Sequence, residues 1–256
     1  MRIGLCTAPE NLNLAGRLGF DYVEWALAAV ESLQDGEFAA LLAKVKESPV
    51  KPERFNVLFP GSLKLVGPES DPEKIKAYLR RAFDRAAALG GKIVVFGSGR
   101  CRAFPAGMVF KKGYGELVKV TRLIGEEAAK YGITIAIEPL NRDETNCINS
   151  VKEGAMLEAD AGLPSVGLLA DLYHVLKERE PLEDIVLAGD LKHTHVALLE
   201  GRSFPVAASP ELKGFFGALK KIGYSGTMSI EGNTENPEAD AAASLRVLRS
   251  LADEAV

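Results

Sequence analysis

The chain has 256 residues, 47% of them hydrophobic and 26% charged, with a formal net charge of -4; this is the composition of a soluble globular protein long enough for one large domain or two small ones. Such a charge argues against a nucleic-acid or anionic-membrane surface, and no apolar run approaches the roughly 18 residues of a membrane span. Cys6, Cys101 and Cys147 are widely spaced and form neither a disulfide framework nor a Cys-x-x-Cys zinc pattern. With an opening Met1-Arg-Ile-Gly-Leu-Cys unlike a signal peptide, a cytoplasmic location is expected.

Apolar runs with strand character occur at Arg2–Cys6, Asp21–Trp25, Arg54–Phe59, Lys92–Phe96, Ile133–Glu138, Val166–Asp171, Lys192–Ala197 and Thr227–Glu231. Segments of helical period separate them. The clearest is Pro72–Leu89, where Ile75, Leu79, Ala82, Phe83, Ala86 and Leu89 share one face, Asp71 is the capping candidate and Gly90-Gly91 ends the helix. Ser150-Val-Lys-Glu153 matches a capping box. Ser209-Pro210 and Asn236-Pro237 each set a capping residue before a helix-starting proline. Gly19, Gly90, Gly132 and Gly223 each stand between a helix and the next strand.

Eight strand–helix units predict a (β/α)8 TIM barrel, an α/β fold, in one domain over residues 1–256. The near-continuous apolar strands suit a parallel sheet covered by helices. An open doubly wound sheet would be favoured by a Gly-x-Gly-x-x-Gly after the first strand, which is absent. The segments Pro60–Glu69 and Ser98–Gly113 exceed ordinary βα loops and are candidate lids over the carboxyl ends of the strands.

Four of those strand ends carry Glu138, Asp171, His195 and Glu231. An acid at one strand end serves equally well as a helix cap or an ion-pair partner. Four in register on consecutive strands converge on one point, and a carboxylate at the edge of an apolar core is costly unless paired or metal-bound. Three carboxylates with one imidazole favour Mn²⁺, Mg²⁺ or Co²⁺ over a structural zinc. The three histidines, His174, His193 and His195, all lie at the ends of the sixth and seventh strands. His193 and His195 point to the same side at period two, so one can bind metal while the other supports it or lies deeper in the barrel. Such a site suits small oxygen-rich molecules, sugars first among them.

The run Ile137-Glu138-Pro139-Leu140-Asn141-Arg142-Asp143-Glu144-Thr145 resembles the signature of the D-tagatose 3-epimerase (ketose 3-epimerase) family within the xylose-isomerase-like TIM-barrel superfamily. Asp171-Leu-Tyr-His174, His193-Thr-His195 and Glu231-Gly resemble its later motifs, in order, from Glu138 to the end of the chain. The resemblance implies a metal-dependent sugar epimerase working through an enediolate. Glu138, Asp171, His195 and Glu231 would hold one divalent ion, with Mn²⁺ ahead of Mg²⁺, Co²⁺ or Zn²⁺. Glu138 and Glu231 would be the acid/base pair, and Glu144, His174 and Arg202 would hold the substrate. Arg202 requires an alignment shift, and Ser203-Phe204-Pro205-Val206 stands where the family often has Pro-Gly. The resemblance also implies a small-molecule partner and a homo-dimer or tetramer.

Hydroxypyruvate isomerases and inosose dehydratases share the implied fold and metal set. An endonuclease IV-like phosphodiesterase would need more histidines than three and a less acidic chain. A non-catalytic sugar-binding barrel is disfavoured by the complete ligand set. Among weaker features, Gly97-Ser98-Gly99-Arg100 offers a phosphate-binding reading beside that of a simple turn. Cys6 and Trp25 are candidates for the pocket wall, though Glu24 alternates with Trp25, so only one of the two faces the interior. Asn56 and Phe59 are further pocket candidates, and Cys6 lacks the neighbours of a nucleophile.

Overall fold

The computed structural model describes residues 1–254. Eight parallel strands close into a barrel in chain order: β1 (Arg2–Cys6), β2 (Tyr22–Ala26), β3 (Pro52–Asn56), β4 (Ile93–Phe96), β5 (Thr134–Ile137), β6 (Val166–Asp171), β7 (His193–Val196) and β8 (Thr227–Ile230), with β8 pairing back onto β1. Helices on the outer side of the barrel cover the sheet, as the near-continuous apolar strands require. No helix among the described residues is long and apolar enough to cross a membrane.

The local signals operate as chemistry dictates. Asp71 accepts the N–H groups of Glu73 and Lys74 at the head of the Pro72–Leu89 helix, and Gly90 closes it at φ 97. Ser150 caps Val151–Ala161 through the Glu153 N–H, but the Glu153 carboxylate accepts from Asn149 rather than from Ser150. One strand departs from expectation. β3 runs from Pro52 to Asn56 instead of from Arg54 to Phe59, because Val57 turns out of the sheet at φ 45.

The barrel interior is divided. Ile93, Val95, Ala136 and Leu169 form a small apolar cluster on the β4–β6 side. Across from them Tyr22, Glu24, Arg54, His193, Thr227 and Ser229 fill the interior with hydrogen-bonded polar groups. Arg54 Nε donates to Thr227 Oγ1 at 3.1 Å; Thr227 Oγ1 lies 2.8 Å from His193 Nδ1; His193 Nε2 lies 2.9 Å from Glu24 Oε2. Buried polar groups are tolerated when each is satisfied, and this chain of contacts leads upward to the carboxyl ends of the strands.

The two long segments are braced rather than free. The Leu65 N–H donates to the Cys101 carbonyl at 2.9 Å, and the Gly67 N–H to Glu116 at 2.8 Å. Asn146 exchanges two hydrogen bonds with the Phe104 main chain. Arg102, wholly buried, donates to the carbonyls of Phe96 and Glu138, both at 2.8 Å. The segments expected as lids are thus tied to the barrel and to each other by hydrogen bonds.

Candidate active site

Period two along each strand sends alternate side chains inward. Leu169 and Asp171 therefore share a face of β6, and Asp171 lies in register with His195 of β7. The structure brings Glu138, Asp171, His195 and Glu231 together at the carboxyl end of the barrel, one ligand atom of each lying within 4.8 Å of the others. His195 is the hub. Its Nδ1 lies 3.1 Å from Glu138 Oε1 and 3.3 Å from Glu231 Oε2, and its Nε2 lies 2.9 Å from Glu24 Oε1.

Glu24 settles the alternation left open on β2. It points into the barrel, fully buried, and its two oxygens each meet the Nε2 of a different histidine, His193 and His195. Burial opposes its ionisation, but the two imidazoles hold it well below the usual carboxylate range. Trp25 accordingly faces outward and is buried beside Ala29, Val30, Leu33 and Leu41, so it does not line the site. Cys6 does approach the cluster, packed near Glu24 and His195, with burial pushing its thiol well up; it is no nucleophile in that state. His193 lies below His195, its Nε2 2.9 Å from Glu24 Oε2.

The other expected residues are distributed around this centre. Glu138, Glu144, His174, Arg202 and Glu231 line a cavity of about 320 Å³ together with Asn56, Val57, Phe59, Leu140 and Arg100. His174 accepts the Asn141 N–H on Nδ1 at 3.1 Å, which leaves the ring proton on Nε2. That Nε2 is buried without a hydrogen-bond partner. Burial and the nearby Arg202 push His174 down to about 3, so the ring is neutral. Asn141 also donates from its side chain to Glu144 at 2.8 Å. Arg202, which needed an alignment shift, does reach the site. Its Nη2 lies 3.3 Å from Asp171 Oδ2 and pairs with Glu231, while its guanidinium stacks on Tyr173 at 4.7 Å. Asn56 Nδ2 donates to Glu231 Oε1 at 2.8 Å.

Two contributors escape residue-type reasoning. Glu24 carries no motif of its own. Gly97, at the end of β4, leaves room for the Glu138 carboxylate: a Cβ there would sit 2.3 Å from Glu138 Oε2. Alternation in β2 was the available signal for the first; the second was marked only as part of the run Gly97-Ser98-Gly99-Arg100, read as a turn or a phosphate loop.

Electrostatics separate the acids. Burial raises Glu138, and burial with the Glu138 charge raises Asp171 to about 7. Burial opposes ionisation of Glu231 too, but His195 and Arg202 bring it down to about 2. Burial would lower His195; the Glu24 and Glu231 charges raise it well above its ordinary value. With Glu24 accepting on Nε2, the His195 Nδ1 lone pair faces two carboxylates, an arrangement that demands positive charge between them. A proton on Nδ1 supplies it in the bare site, and the donor set of three carboxylates and one imidazole fits a divalent cation in the same place.

Comparison with known proteins agrees with this geometry. A profile of the xylose isomerase-like TIM barrel family matches residues 12–251. The chain belongs to that family. An L-ribulose 3-epimerase from Methylomonas sp. is 28% identical over 230 residues, covering 85% of this chain and 75% of that protein. A ketose 3-epimerase from Arthrobacter globiformis is 27% identical over 190 residues, covering 71% of this chain and 64% of that protein. Among solved structures, the IOLI protein with a bound zinc atom superposes with a TM-score of 0.80 at 18% identity, over 100% of this chain and 99% of that one, a likeness of fold. The family member described here is an enzyme of the sugar epimerase/isomerase type.

Proposed function

We propose that the protein is a divalent-metal-dependent ketose 3-epimerase. One observation carries the reading: His195 Nδ1, oriented by Glu24, confronts Glu138 and Glu231 within 3.3 Å, with Asp171 alongside. Glu138, Asp171, His195 and Glu231 would hold the metal, which would polarise the carbonyl and neighbouring hydroxyl of the sugar. Mn²⁺ suits this oxygen-rich set, with Mg²⁺, Co²⁺ and Zn²⁺ as further candidates; the similar IOLI protein holds zinc.

The chain's own residues perform the proton transfers. Epimerisation removes the proton beside the carbonyl from one face of C3 and returns one to the other face, so a base and an acid are required. Glu138 and Glu231, from β5 and β8, flank His195 and are candidates for both. Their environments already differ. Without the cation His195 and Arg202 keep Glu231 ionised against its burial while burial raises Glu138; with the cation in place either carboxylate would serve as the base and the other would return the proton. The roles exchange in the reverse direction. The Nε2–H of His174, which makes no hydrogen bond though Asp171 Oδ2 lies 3.5 Å away, would with Glu144 and Arg202 hold the hydroxyls at the reacting end. The 3-epimerase names of the relatives above support the choice of carbon.

The test is NMR after incubation with Mn²⁺ in D₂O and a panel of ketoses: D-fructose, D-psicose, D-tagatose and L-ribulose. Deuterium is expected at C3. Deuterium at C1 or C2 would make the enzyme an aldose–ketose isomerase instead. Glu138→Gln should lower turnover by at least ~10³-fold with the thermal midpoint retained; near-normal turnover would remove Glu138 from the mechanism.

A further inference from the structure

The charged groups at the mouth of the cavity differ in how they are held. The acids that line it have partners. Glu138 meets His195, Glu231 meets His195, Asn56 and Arg202, and Glu144 accepts from Asn141. Asp143, which with Glu144, Gly99 and Arg100 forms an adjoining recess, pairs with Lys177 at 2.9 Å. Arg202 is held by Asp171 and Glu231.

Arg100 is different. It is exposed and lines both the cavity and the recess, yet its guanidinium has no hydrogen bond or ion pair among the described residues. Its main chain is fixed, since Lys64 Nζ donates to its carbonyl at 3.1 Å. Two residues earlier Ser98 is held at φ 43, a left-handed conformation that a residue with a side chain adopts at a cost. The Ser98 hydroxyl accepts the Phe59 N–H at 3.3 Å, which leaves its own proton free for the cavity. Phe59 and Leu140 line the same cavity as Arg100, Glu138 and Glu231. A sugar with its reacting carbons at Glu138 and Glu231 shares this cavity with Arg100, which is within reach of its other end.

We propose that the substrate is a ketose bearing an anionic group, a phosphate ester or a carboxylate, at the end remote from the reacting carbons, received by the Arg100 guanidinium and the Ser98 hydroxyl. This rests on the epimerase reading of the same cavity. A guanidinium matches the paired oxygens of either anion, and charge-assisted contacts are stronger than neutral ones. The site is open to water, so the preference should be about tenfold and should shrink as salt screens it.

The experiment compares kcat/KM for deuterium exchange with D-fructose, D-fructose 6-phosphate and D-fructuronate, using Mn²⁺-loaded wild-type enzyme, Arg100→Gln and Arg100→Lys. At least one anionic substrate should exceed D-fructose by about tenfold, and which of the two does so separates phosphate from carboxylate. Arg100→Gln should remove that advantage, lowering the anionic substrate's kcat/KM about tenfold more than that of D-fructose, and Arg100→Lys should restore part of it. Equal rates in the wild type, or an advantage that survives Arg100→Gln, would overturn the proposal. Calorimetry with two non-reacting probes, D-sorbitol and D-sorbitol 6-phosphate, reads the subsite without chemistry. Tighter binding of the phosphate that depends on Arg100, with no exchange in any ketose, would keep the subsite and discard the epimerase; equal binding of the two probes would discard a phosphate subsite.

Discussion

The two halves of the barrel contribute to the site in different ways. Strands β5–β8 present the groups that can react or bind metal: Glu138, Asp171, His195 and Glu231. Strands β1–β4 present what holds them: Glu24 under His195, Asn56 against Glu231, and the bare Cα of Gly97 beside Glu138. The second half works through residue types whose chemistry is explicit. The first works through hydrogen bonds to those residues and through space left empty. If this division is right, substitutions in the first half should spare the fold and the reacting groups, yet still damage the site by displacing them.

Gly97→Ala is the strongest way to break the comparison. The added methyl would meet Glu138 Oε2 at 2.3 Å, and that atom is the far end of a flexible side chain. The carboxylate can swing aside, so the thermal midpoint should barely change. Its displacement by about 1 Å, however, should reduce kcat on the order of 10²-fold. A variant with full activity would show that Glu138 adopts another position during turnover and that the empty space is incidental. Circular dichroism and steady-state rates on the same preparation decide between these results.

Glu24→Gln sharpens the comparison from beneath the site. A carboxylate accepts from both histidines at once, whereas an amide accepts at one atom and donates at the other. One of the two imidazoles must then change its protonation. If that one is His195, its Nδ1 loses the lone pair it turns toward Glu138 and Glu231. Groups of this kind typically alter metal affinity by 10–100-fold, and a loss of about that size is expected in a Mn²⁺ titration followed by electron paramagnetic resonance. Unchanged affinity would reduce the buried Glu24–histidine contacts to packing.

The same division explains what could be read from the sequence. The barrel was legible because each strand–helix unit carries its own local punctuation, from Asp71 and Pro72 at one helix start to Gly90 at its end. Glu138, Asp171, His195 and Glu231 were legible because they end strands and belong to recognisable motifs. The roles of Glu24 and Trp25 were not, since alternation says that one faces inward without saying which; the outcome depends on His193 and His195, some 170 positions away. Val57 ended β3 early through a left-handed conformation that a β-branched residue gives no reason to expect. Length alone marked the two long segments, and length does not say that they are tied down as a wall of the cavity. What fixes that wall is tertiary: Arg102 on the carbonyls of Phe96 and Glu138, and Asn146 on Phe104.

The last effect, small over any narrow pH interval, concerns protons, and its sign follows from the raised groups. Burial and Glu138 bring Asp171 up to about 7, and Glu24 and Glu231 raise His195 further still, against its burial. A metal ion needs both without their protons at the atoms that face it, so binding must release those protons. Below pH 7 Asp171 and His195 both compete with the metal, and apparent affinity should climb steeply as pH rises from 5 to 7. Above 7 Asp171 is mostly ionised while His195, together with whatever proton burial keeps on Glu138, still contributes, so the climb should continue at about tenfold per pH unit or more. Glu231, held near 2, contributes nothing to this slope because it is ionised throughout. Titrations with Mn²⁺ at several pH values, with free metal buffered, measure the slope directly. A flat affinity from pH 5 to 8 would mean that the metal does not displace protons from Asp171 and His195. The proton competition inferred for these two ligands would then be overturned.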